Sequence, residues 1–309
     1  MSDPAVPGPG PRGGWPLAVP GTRFTDVRHL DEVGSTNRVV LAEAAAGAGE
    51  GLVVVADHQT AGRGRLDRRW EAPPGANLLL SVLLRPELPP TELYRCATSV
   101  SLAAVTACAA VAGLEVGCKW PNDLVLEDRK LAGVLAETAD APVGRAPEEA
   151  GGGAAAGRGG VQVGLAGGGT AGPGRVAVVV GLGLNVDWPA DGDDVPPDIR
   201  GRATSLRAAT GRRVDRSELL VALLVDLHAR LADLETPEGR ERQAVAYRAC
   251  CTTIGRRVSV ELAGAEVRGV ARSVDDAGAL VVEGDDGRRH SVVVGDVVHV
   301  RPADGAGDR

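Results

Sequence analysis

Three short apolar segments constrain the fold of this 309-residue chain more than any other feature of its sequence. They are GLVVVAD (51–57), NLLLSVLLRP (77–86) and VAVVVGLGLNV (176–186), and all three are rich in Val and Leu. Continuous apolar runs of this length, bounded by turn residues, are typical of buried strands. The chain is therefore predicted to build its core on strands of this kind.

Helices are predicted between and after these strands. Residues 91–112 are a long apolar segment that we expect to begin as a helix at Thr91 and to end at Gly113. Residues 215–235 carry apolar side chains at intervals of three and four, as in an amphipathic helix, and another helix is expected near 237–250. Shorter strands are predicted at VGCKW, DLVLE and LAGVLAE.

The last part of the chain has a different pattern. Five short β-rich runs, RRVSVEL, EVRGVARSV, ALVVEG, RHSVVV and DVVHV, are separated by AG, DDAG, DDG and GD turns. This pattern predicts a small antiparallel barrel. At about 50 residues, such a module is small enough to depend on its neighbour for stability.

Two segments lack any such pattern. Residues 1–21 are rich in Pro and Gly, and we expect them to be disordered. Residues from about 140 to 175 form a Gly/Ala-rich insertion around a short VQVGLA run, which we interpret as part of a strand pair. The insertion is expected to be flexible, and we assign it no function.

Composition excludes several classes of protein. The hydrophobic fraction is 44%, no apolar run reaches the ~18 residues that a membrane span needs, and no signal segment is visible, so a cytoplasmic protein is expected. The net charge of −7 argues against a protein that coats nucleic acid. The five cysteines form no CxxC pair and the five histidines are scattered, which predicts reduced thiols and no zinc or histidine metal site.

Lysine and asparagine are scarce, and their positions are informative. Of the 34 basic residues only Lys119 and Lys130 are lysines, and asparagine occurs only at Asn37, Asn77, Asn122 and Asn185. Arg cannot replace Lys where a site needs a compact point charge, so a composition this rich in Arg favours a chemical role for both lysines. The alternative is that they are two ordinary surface residues.

The stretch GRGRLDRRW (62–70), called the Arg loop below, concentrates positive charge in an acidic protein. Its glycines allow the backbone to approach a ligand, and the planar guanidinium groups match carboxylate or phosphate. Trp70 at its end can stack on a ring or cover a ligand. These features favour an anion-binding loop, while the alternative is a solvated, Arg-rich surface loop.

The segment KWPNDLVLEDRKLAGVLAE (119–137) holds both lysines. Pro121 breaks the strand, so Lys119, Asn122 and Asp123 are expected at a tight corner. Lys130 is expected at the entry of the next strand, where its ammonium can reach that corner. Two weaker motifs are GLGLNV (181–186), whose glycines allow close approach, and STN (35–37), which could also be a simple helix cap.

In this order, GSTN, HQTAGRGRLDRRW, GANLLLSVLLRP, KWPND, RKLAGVLAE and GLGLNV resemble the signatures of biotin protein ligases over residues 30–190. The resemblance implies an α+β fold, with a mixed β-sheet and helices in a class II synthetase-like catalytic domain, followed by a small SH3-like β-barrel. The implied domains are a tail at 1–21, a catalytic domain at 22–251 and the barrel at 252–303. Asp67, where the family usually has glycine, departs from the pattern. A DNA-binding role is not expected, because only some twenty Pro/Gly-rich residues precede the catalytic region.

The resemblance also implies an activity. Biotin and ATP, with Mg²⁺, would give biotinyl-5′-AMP, and a lysine of a biotin carboxyl carrier domain would then take the biotinyl group. The implied catalytic residues are Lys130, Arg65, Lys119 and Asp123. The implied biotin-binding residues are Ser35, Thr36, Asn37, Gln59, Arg63, Gly64, Arg65, Lys130 and Gly133. The implied ATP-binding residues are Arg68, Trp70, Asn122, Gly181, Gly183 and Asn185. No protein ligand for a metal, no membrane and no DNA partner are expected.

Two other functions remain open from the sequence alone. A lipoate or octanoate ligase shares the fold and the adenylate chemistry, although the GRGR loop together with KWPND favours biotin. A non-enzymatic binding protein, in which the terminal barrel recruits a partner, is the alternative from another class. A test for ATP–pyrophosphate exchange in the presence of biotin distinguishes a non-enzymatic binding protein from a ligase.

Overall fold

The computed structural model describes residues 14–66, 68–139, 176–190, 195–197, 199–262, 265–293 and 296–299. The helices are α1 (Thr36–Ala45), α2 (Tyr94–Ala107), α3 (Leu206–Thr210), α4 (Arg216–Asp233) and α5 (Pro237–Cys250). The strands before the terminal module are β1 (Asp26–Val33), β2 (Leu52–Gln59), β3 (Leu78–Leu84), β4 (Gly117–Lys119), β5 (Asp123–Leu126), β6 (Arg129–Thr138) and β7 (Val178–Leu184). The strands of the module are β8 (Arg257–Leu262), β9 (Ala265–Val274), β10 (Leu280–Gly284), β11 (Arg289–Val292) and β12 (Asp296–His299).

The first seven strands form one mixed sheet in the order β1-β2-β3-β7-β6-β5-β4. β1 and β2 are parallel, and the remaining neighbours are antiparallel. The three apolar segments become β2, β3 and β7 at the centre of this sheet, which confirms their prediction as buried strands. The mixed sheet with its helices agrees with the α+β fold that the resemblance implied.

Helices cover both faces of the sheet. Val53 and Val55 of β2 belong to the main core, which also includes residues of α2 and α4. Leu52 and Val54 point to the opposite face and pack with Val40 of α1. This alternation follows from the two-residue period of a strand. It explains why β2 contains no polar residue until the strand approaches its end.

The long apolar helix starts later than predicted. A 3₁₀ turn at Pro90–Glu92 precedes α2, and a π-helical turn at Cys108–Ala112 continues it to Gly113. Gly113 has a φ of 70°, which glycine adopts without strain, so the predicted end is correct. By length and composition the stretch Pro90–Ala112 could cross a membrane. However, its central residues are packed in the main core, as in the central helix of a globular domain.

The terminal module contains the five antiparallel strands that were predicted, and they form one sheet in the order β11-β10-β9-β8-β12. Its apolar side chains, such as Val258 and Leu280, form a second core together with Leu102, Trp120 and Tyr247 of the preceding region. Trp120 is 3% exposed, and its Nε1 donates to the carbonyl oxygen of Gly278 at 2.9 Å. The module therefore shares a core with the larger domain. The boundary after residue 251 stays a prediction.

The prediction of disorder over residues 1–21 is wrong for residues 14–21. Val19 is 2% exposed, and the Trp15 ring stacks on His29 with 5.5 Å between centroids. The guanidinium carbon of Arg216 lies 5.1 Å from the Trp15 ring centroid. These tertiary contacts order a segment that its Pro/Gly composition alone would leave loose. Residues 1–13, the insertion at 140–175 with its VQVGLA run, and Asp67 lie outside the described residues.

The cysteines are thiols, as predicted. All five are free, and Cys250 is the one that is only partly buried. Burial raises the pKa of Cys96 and of Cys108 to about 12, so both are protonated at neutral pH. Cys118 lies 3.4 Å from Cys250 where β4 meets the end of α5. The thiols contribute mainly to packing.

Candidate active site

The residues predicted for the site all line one cleft of about 1390 Å³. β6 and β7 contribute its floor, and residues 255–257 of the terminal module reach its rim. The predicted residues in its walls are Ser35, Thr36, Asn37, Gln59, Arg63, Gly64, Arg65, Arg68, Trp70, Lys119, Asn122, Asp123, Lys130, Gly133, Gly181, Gly183 and Asn185. The fold thus collects at one place the motifs that are scattered through the sequence.

One end of the cleft is a buried polar pocket. The backbone N–H of Thr36 donates to Gln59 Oε1 at 2.8 Å, and Thr36 Oγ1 lies 2.7 Å from Ser81 Oγ. Ser81 Oγ lies 2.6 Å from Asn37 Oδ1. Ser35, Thr36, Asn37 and Ser81 are at most 4% exposed. Since buried polar groups need partners, these short contacts fix the side chains around the pocket.

Asn37 uses its whole amide within the protein. Its Nδ2 donates to the carbonyl oxygen of Leu135 at 3.3 Å and to Glu137 Oε2 at 2.8 Å, while its Oδ1 lies against Ser81. A Cβ atom at Gly181 would come within 2.2 Å of Asn37 Oδ1, so only glycine fits beside it. The structure therefore makes Asn37 a support of the pocket wall, and its contact with a ligand stays a prediction.

The Arg loop forms a small hairpin over the cleft. The backbone N–H of Gly64 donates to the carbonyl oxygen of Arg68 at 2.7 Å, and an antiparallel bridge joins Arg63 and Arg69 at the base. Leu66 at the tip has a φ of 56° and is 45% exposed. Such a backbone conformation is uncommon for leucine and marks a tight turn. The tip thus extends into solvent while the base is held by backbone contacts.

Two arginines of the loop are tied to the cleft walls. Arg63 Nη1 lies 3.0 Å from Glu137 Oε1 at the end of β6. Arg65 Nη1 donates to Asn122 Oδ1 at 3.1 Å, and Asn122 Nδ2 donates to the carbonyl oxygen of Val134 at 2.8 Å. Asn122 therefore positions an arginine of the loop against the KWPND corner.

Lys130 reaches the corner as predicted. Its Nζ lies 2.7 Å from Asp123 Oδ1, and both side chains are partly exposed to the cleft. The backbone N–H of Lys130 donates to the carbonyl oxygen of Arg202 at 2.8 Å, and its own carbonyl accepts from Thr204 at 2.9 Å. These bonds fix the main chain of Lys130, so the ammonium position depends only on its side-chain rotamer and on Asp123.

Trp70 lies on a floor made of two glycines. Gly133 and Gly183 are paired across β6 and β7. A Cβ atom at Gly183 would come within 2.5 Å of the Trp70 ring, and one at Gly133 within 3.2 Å. Lys130 Nζ lies 5.5 Å from the centre of the ring, within the range of a cation–π contact. The buried Trp70 Nε1 has no acceptor among the described residues, so an acceptor on a ligand would satisfy it.

Asn185 lies in the cleft wall, yet its amide is engaged elsewhere. Its Oδ1 accepts from Asn77 Nδ2 at 3.0 Å, and its Nδ2 donates to the carbonyl oxygen of Thr204 at 2.9 Å. Asn77 Oδ1 in turn accepts from the backbone of Val186 at 2.9 Å. The structure thus gives Asn185 and Asn77 a bracing function for the end of β7. The implied contact of Asn185 with adenine stays a prediction.

We expect Asn185→Ala to lower the free energy of unfolding by about 1–3 kcal/mol, because it leaves the buried groups of Asn77 and Thr204 without partners. Urea unfolding followed by circular dichroism measures this. A variant with unchanged stability but weaker nucleotide binding would contradict the bracing function and would support the contact with adenine.

Carboxylates in the cleft are paired with basic side chains. Among the described residues that line it, Asp123 lies 2.7 Å from Lys130, Asp128 lies 2.5 Å from Arg256, and Glu71 lies 4.0 Å from Arg69. His29, Asp31 and Asp57 have donor atoms within 4.8 Å of one another, but Arg216 already pairs with Asp57 at 2.8 Å, and none of the three lines the cleft. The one cluster of possible metal ligands among the described residues thus lies outside the cleft.

Sequence reasoning missed several residues that support the site. Ser81 was visible as the single polar residue of an otherwise apolar strand, and Glu137 as the acidic end of LAGVLAE. Asn77 was noticed for its rarity but received no function. Arg256 at the rim gave no signal, because it precedes an ordinary strand of a separate module.

Comparisons with known proteins agree with this geometry. Residues 32–143 match the biotin/lipoate A/B protein ligase family, and residues 253–300 match the biotin protein ligase C terminal domain. The chain is 38% identical to the biotin–[acetyl-CoA-carboxylase] ligase of Mycobacterium tuberculosis over 283 residues, which cover 89% of this chain and 90% of that protein. It is 30% identical to the ligase of the same name from Paracoccus denitrificans, over 84% of this chain and 95% of that protein.

A solved structure shows the same fold. The biotin protein ligase from Aquifex aeolicus in complex with biotin and ATP superposes with a TM-score of 0.68 at 24% identity, covering 90% of this chain and all of that one. Two matching domains in the expected order, relatives of nearly full length and the assembled motif residues all lead to one conclusion. The chain belongs to the biotin protein ligase family.

Proposed function

We propose that the protein attaches biotin to a lysine of a biotin carboxyl carrier domain, using ATP and passing through biotinyl-5′-AMP. The observation that supports this most directly is the cleft itself, which joins a buried polar pocket to a cationic region. The pocket suits the ureido ring of biotin. The cationic region, with Lys130, Arg63, Arg65 and Arg68, suits the carboxylate and the phosphates.

In the first step a carboxylate oxygen of biotin attacks the α-phosphorus of ATP. The new O–P bond forms while the bond from the α-phosphorus to the bridging oxygen breaks, and pyrophosphate leaves with the electron pair. Both reactants are anions, and at ~4 Å and an effective dielectric near 20 each pair of charges repels by about 4 kcal/mol. A fixed cation between them removes much of this barrier. Lys130 is the residue that we assign to this position.

Asp123 contributes by holding Lys130. The carboxylate forms an ion pair with the ammonium at 2.7 Å, which keeps the charge of Lys130 in the cleft near the position of the biotin carboxylate and the phosphates. Arg65, tied to Asn122, and Arg68 then contact the anions from the loop side. Trp70 on its glycine floor contacts the adenine ring.

At the polar end we assign recognition of the ureido group to Ser35, Thr36 and Gln59. The Oε1 atom of Gln59 accepts from Thr36, so the N–H groups of the same amide are directed elsewhere and suit a carbonyl oxygen of the ligand. Asn37 and Ser81 keep this arrangement in place. Gly181 leaves room for the Asn37 amide, and Gly133 leaves room for Trp70 and Lys130 beside the ligand.

In the second step the amine of the carrier lysine attacks the acyl carbon of biotinyl-AMP. The C–N bond forms, the bond from the acyl carbon to the phosphate oxygen breaks, and AMP leaves with the electron pair. The amine releases a proton to solvent or to a nearby base. Lys119 lies in the cleft wall beside Asp123, and we assign both to the face at which the carrier arrives.

Mg²⁺ enters this scheme with ATP. Mg²⁺ often binds through one or two carboxylates together with substrate phosphates. Since the carboxylates of the described cleft walls are all paired with basic side chains, we expect the ion to be held mainly by the phosphates and water.

The names of the relatives, which specify acetyl-CoA carboxylase, support a carrier domain of that enzyme as the partner. We propose a carrier of this class, a cytoplasmic location, and no DNA or membrane partner. The relatives are named as biotin ligases, and this favours biotin over lipoate or octanoate.

The test measures pyrophosphate release from ATP with biotin, lipoate or octanoate, followed by mass spectrometry of a carrier domain. We expect release with biotin alone and one added biotinyl group on the carrier. Release driven by lipoate would move the protein to the other ligase class, and no release with any acid would favour a non-enzymatic binding protein.

A further inference from the structure

A chain of polar contacts connects the biotin end of the cleft to the base of the Arg loop. It runs from Gln59 through Thr36, Ser81 and Asn37 to Glu137, and from Glu137 to Arg63. The six residues come from β2, α1, β3, β6 and the Arg loop. The chain of contacts therefore depends on the tertiary fold and not on a local sequence pattern. Glu137 is the member that joins the pocket wall to the loop.

Glu137 uses its two oxygens for two different partners. Oε2 accepts from Asn37 Nδ2 at 2.8 Å, and Oε1 lies 3.0 Å from Arg63 Nη1. Glu137 does not itself line the cleft, and its side chain is 18% exposed. Its contacts with the site are made through Asn37 and Arg63, which do line the cleft. Any effect on the reaction has to pass through Asn37 or Arg63.

The backbone of Arg63 forms a bridge with the backbone of Arg69, and this bridge closes the base of the hairpin. Fixing the Arg63 side chain restrains the base while the tip around Leu66 remains exposed. The loop then loses less conformational entropy when it becomes ordered over a ligand, and this favours binding of the ligand. The Arg63 side chain is 47% exposed, and an ion pair this exposed contributes little to folding stability.

We propose that Glu137 is a positioning residue of the biotin ligase reaction, which fixes Arg63 and thereby the base of the Arg loop against the biotin pocket. This inference rests on the proposed function. Its effect is specific to biotin and to the retention of biotinyl-AMP, because the polar chain ends in the pocket that we assign to biotin. The partners of Glu137 are Asn37 and Arg63, which the resemblance assigns to biotin.

Glu137→Gln separates the two contacts. In glutamine an NH₂ group replaces one of the two carboxylate oxygens, so the contacts that Asn37 and Arg63 make with separate oxygens cannot both be kept in this geometry. The buried Asn37 has no alternative partner in water, whereas the half-exposed Arg63 can turn to solvent. The variant should therefore keep the contact with Asn37 and release Arg63. Glu43→Gln is the matched control, since Glu43 pairs with Arg28 at 2.9 Å on the exposed side of α1, away from the cleft.

The experiment measures pyrophosphate release at varied biotin and varied ATP, together with the thermal unfolding midpoint. For Glu137→Gln we expect a roughly tenfold higher KM for biotin, because an arginine fixed by a charge-assisted bond is lost, with the KM for ATP within about twofold of wild type. The unfolding midpoint should match that of Glu43→Gln. An unchanged KM for biotin in an active Glu137→Gln enzyme would overturn the inference. An inactive wild type would instead refute the proposed function.

A double-mutant cycle with Arg63→Gln tests the route of the effect. If Glu137 acts through Arg63, then Glu137→Gln changes little in the Arg63→Gln background, and the double variant resembles Arg63→Gln alone. If the full effect of Glu137→Gln persists in that background, Glu137 does not act through the loop, and the inference is wrong.

Discussion

Lys130→Ala is expected to lower the rate of biotinyl-AMP formation by about 10²–10³, the usual loss when one preorganised electrostatic group is removed from an active site. The structure strengthens this expectation, because Lys130 Nζ is held by Asp123 at 2.7 Å beside the arginines of the loop. Lys130→Ala also leaves Asp123 as an uncompensated negative charge beside two anionic reactants, which adds to the loss. Pyrophosphate release with saturating ATP and biotin measures it.

Arg129→Ala is the control for this prediction. Arg129 precedes Lys130 on the same strand, but it pairs with Glu127 at 3.0 Å and does not line the cleft. We expect near wild-type rates for Arg129→Ala and similar unfolding midpoints for both variants. A Lys130→Ala enzyme that forms biotinyl-AMP at the wild-type rate would show that another group supplies the charge.

Arg65→Gly is expected to release biotinyl-AMP early, roughly 10²-fold faster than wild type, because an arginine makes two or more charge-assisted bonds to carboxylate and phosphate. The same change removes the bond of Arg65 to Asn122, which ties the loop to the KWPND corner. Biotinyl-AMP is a reactive mixed anhydride. An enzyme that forms it before the carrier domain binds has to keep it away from water and from other amines.

Streptavidin blotting of serum albumin, incubated with ATP, biotin and each enzyme, measures this release. Arg69→Gly is the control for added backbone freedom in the same loop, since it keeps the backbone bridge to Arg63 and removes a side chain that lies 4.0 Å from the exposed Glu71. We expect strong labelling with Arg65→Gly and weak labelling with wild type and Arg69→Gly. Equal labelling by all three, with biotinyl-AMP formation retained, would remove Arg65 from the containment of the intermediate.

The central strands were predictable from sequence because long runs of consecutive residues on them are buried. β3 consists entirely of buried residues, so its composition alone identifies it. β1 gave no such signal, since Val27 is its single buried residue and the strand lies at the edge of the sheet. Residues 14–21 were misjudged for a related reason. Their order comes from Trp15 and Val19 packing on distant residues, which local composition does not record.

The site was predictable as a set of residues but not as a set of contacts. Motif order and the rarity of lysine and asparagine identified the residues that line the cleft. The partners of Asn37 and Asn185 could not be predicted, because their amides bind groups far away in the chain, such as Glu137 and Asn77. Sequence position shows that an asparagine is needed. Only the fold shows whether its amide faces a ligand or the protein.

Trp120 connects the active site of this enzyme to its terminal module. It stands inside the KWPND motif, yet its ring is buried among side chains of the terminal module, and its backbone N–H donates to Thr253 Oγ1 at 3.1 Å. The corner that carries Lys119, Asn122 and Asp123 is therefore anchored from behind by the module. Substitutions deep in the module, with no atom near a substrate, should behave in a genetic screen as active-site mutations, and heat should inactivate the enzyme at the temperature at which the module loosens.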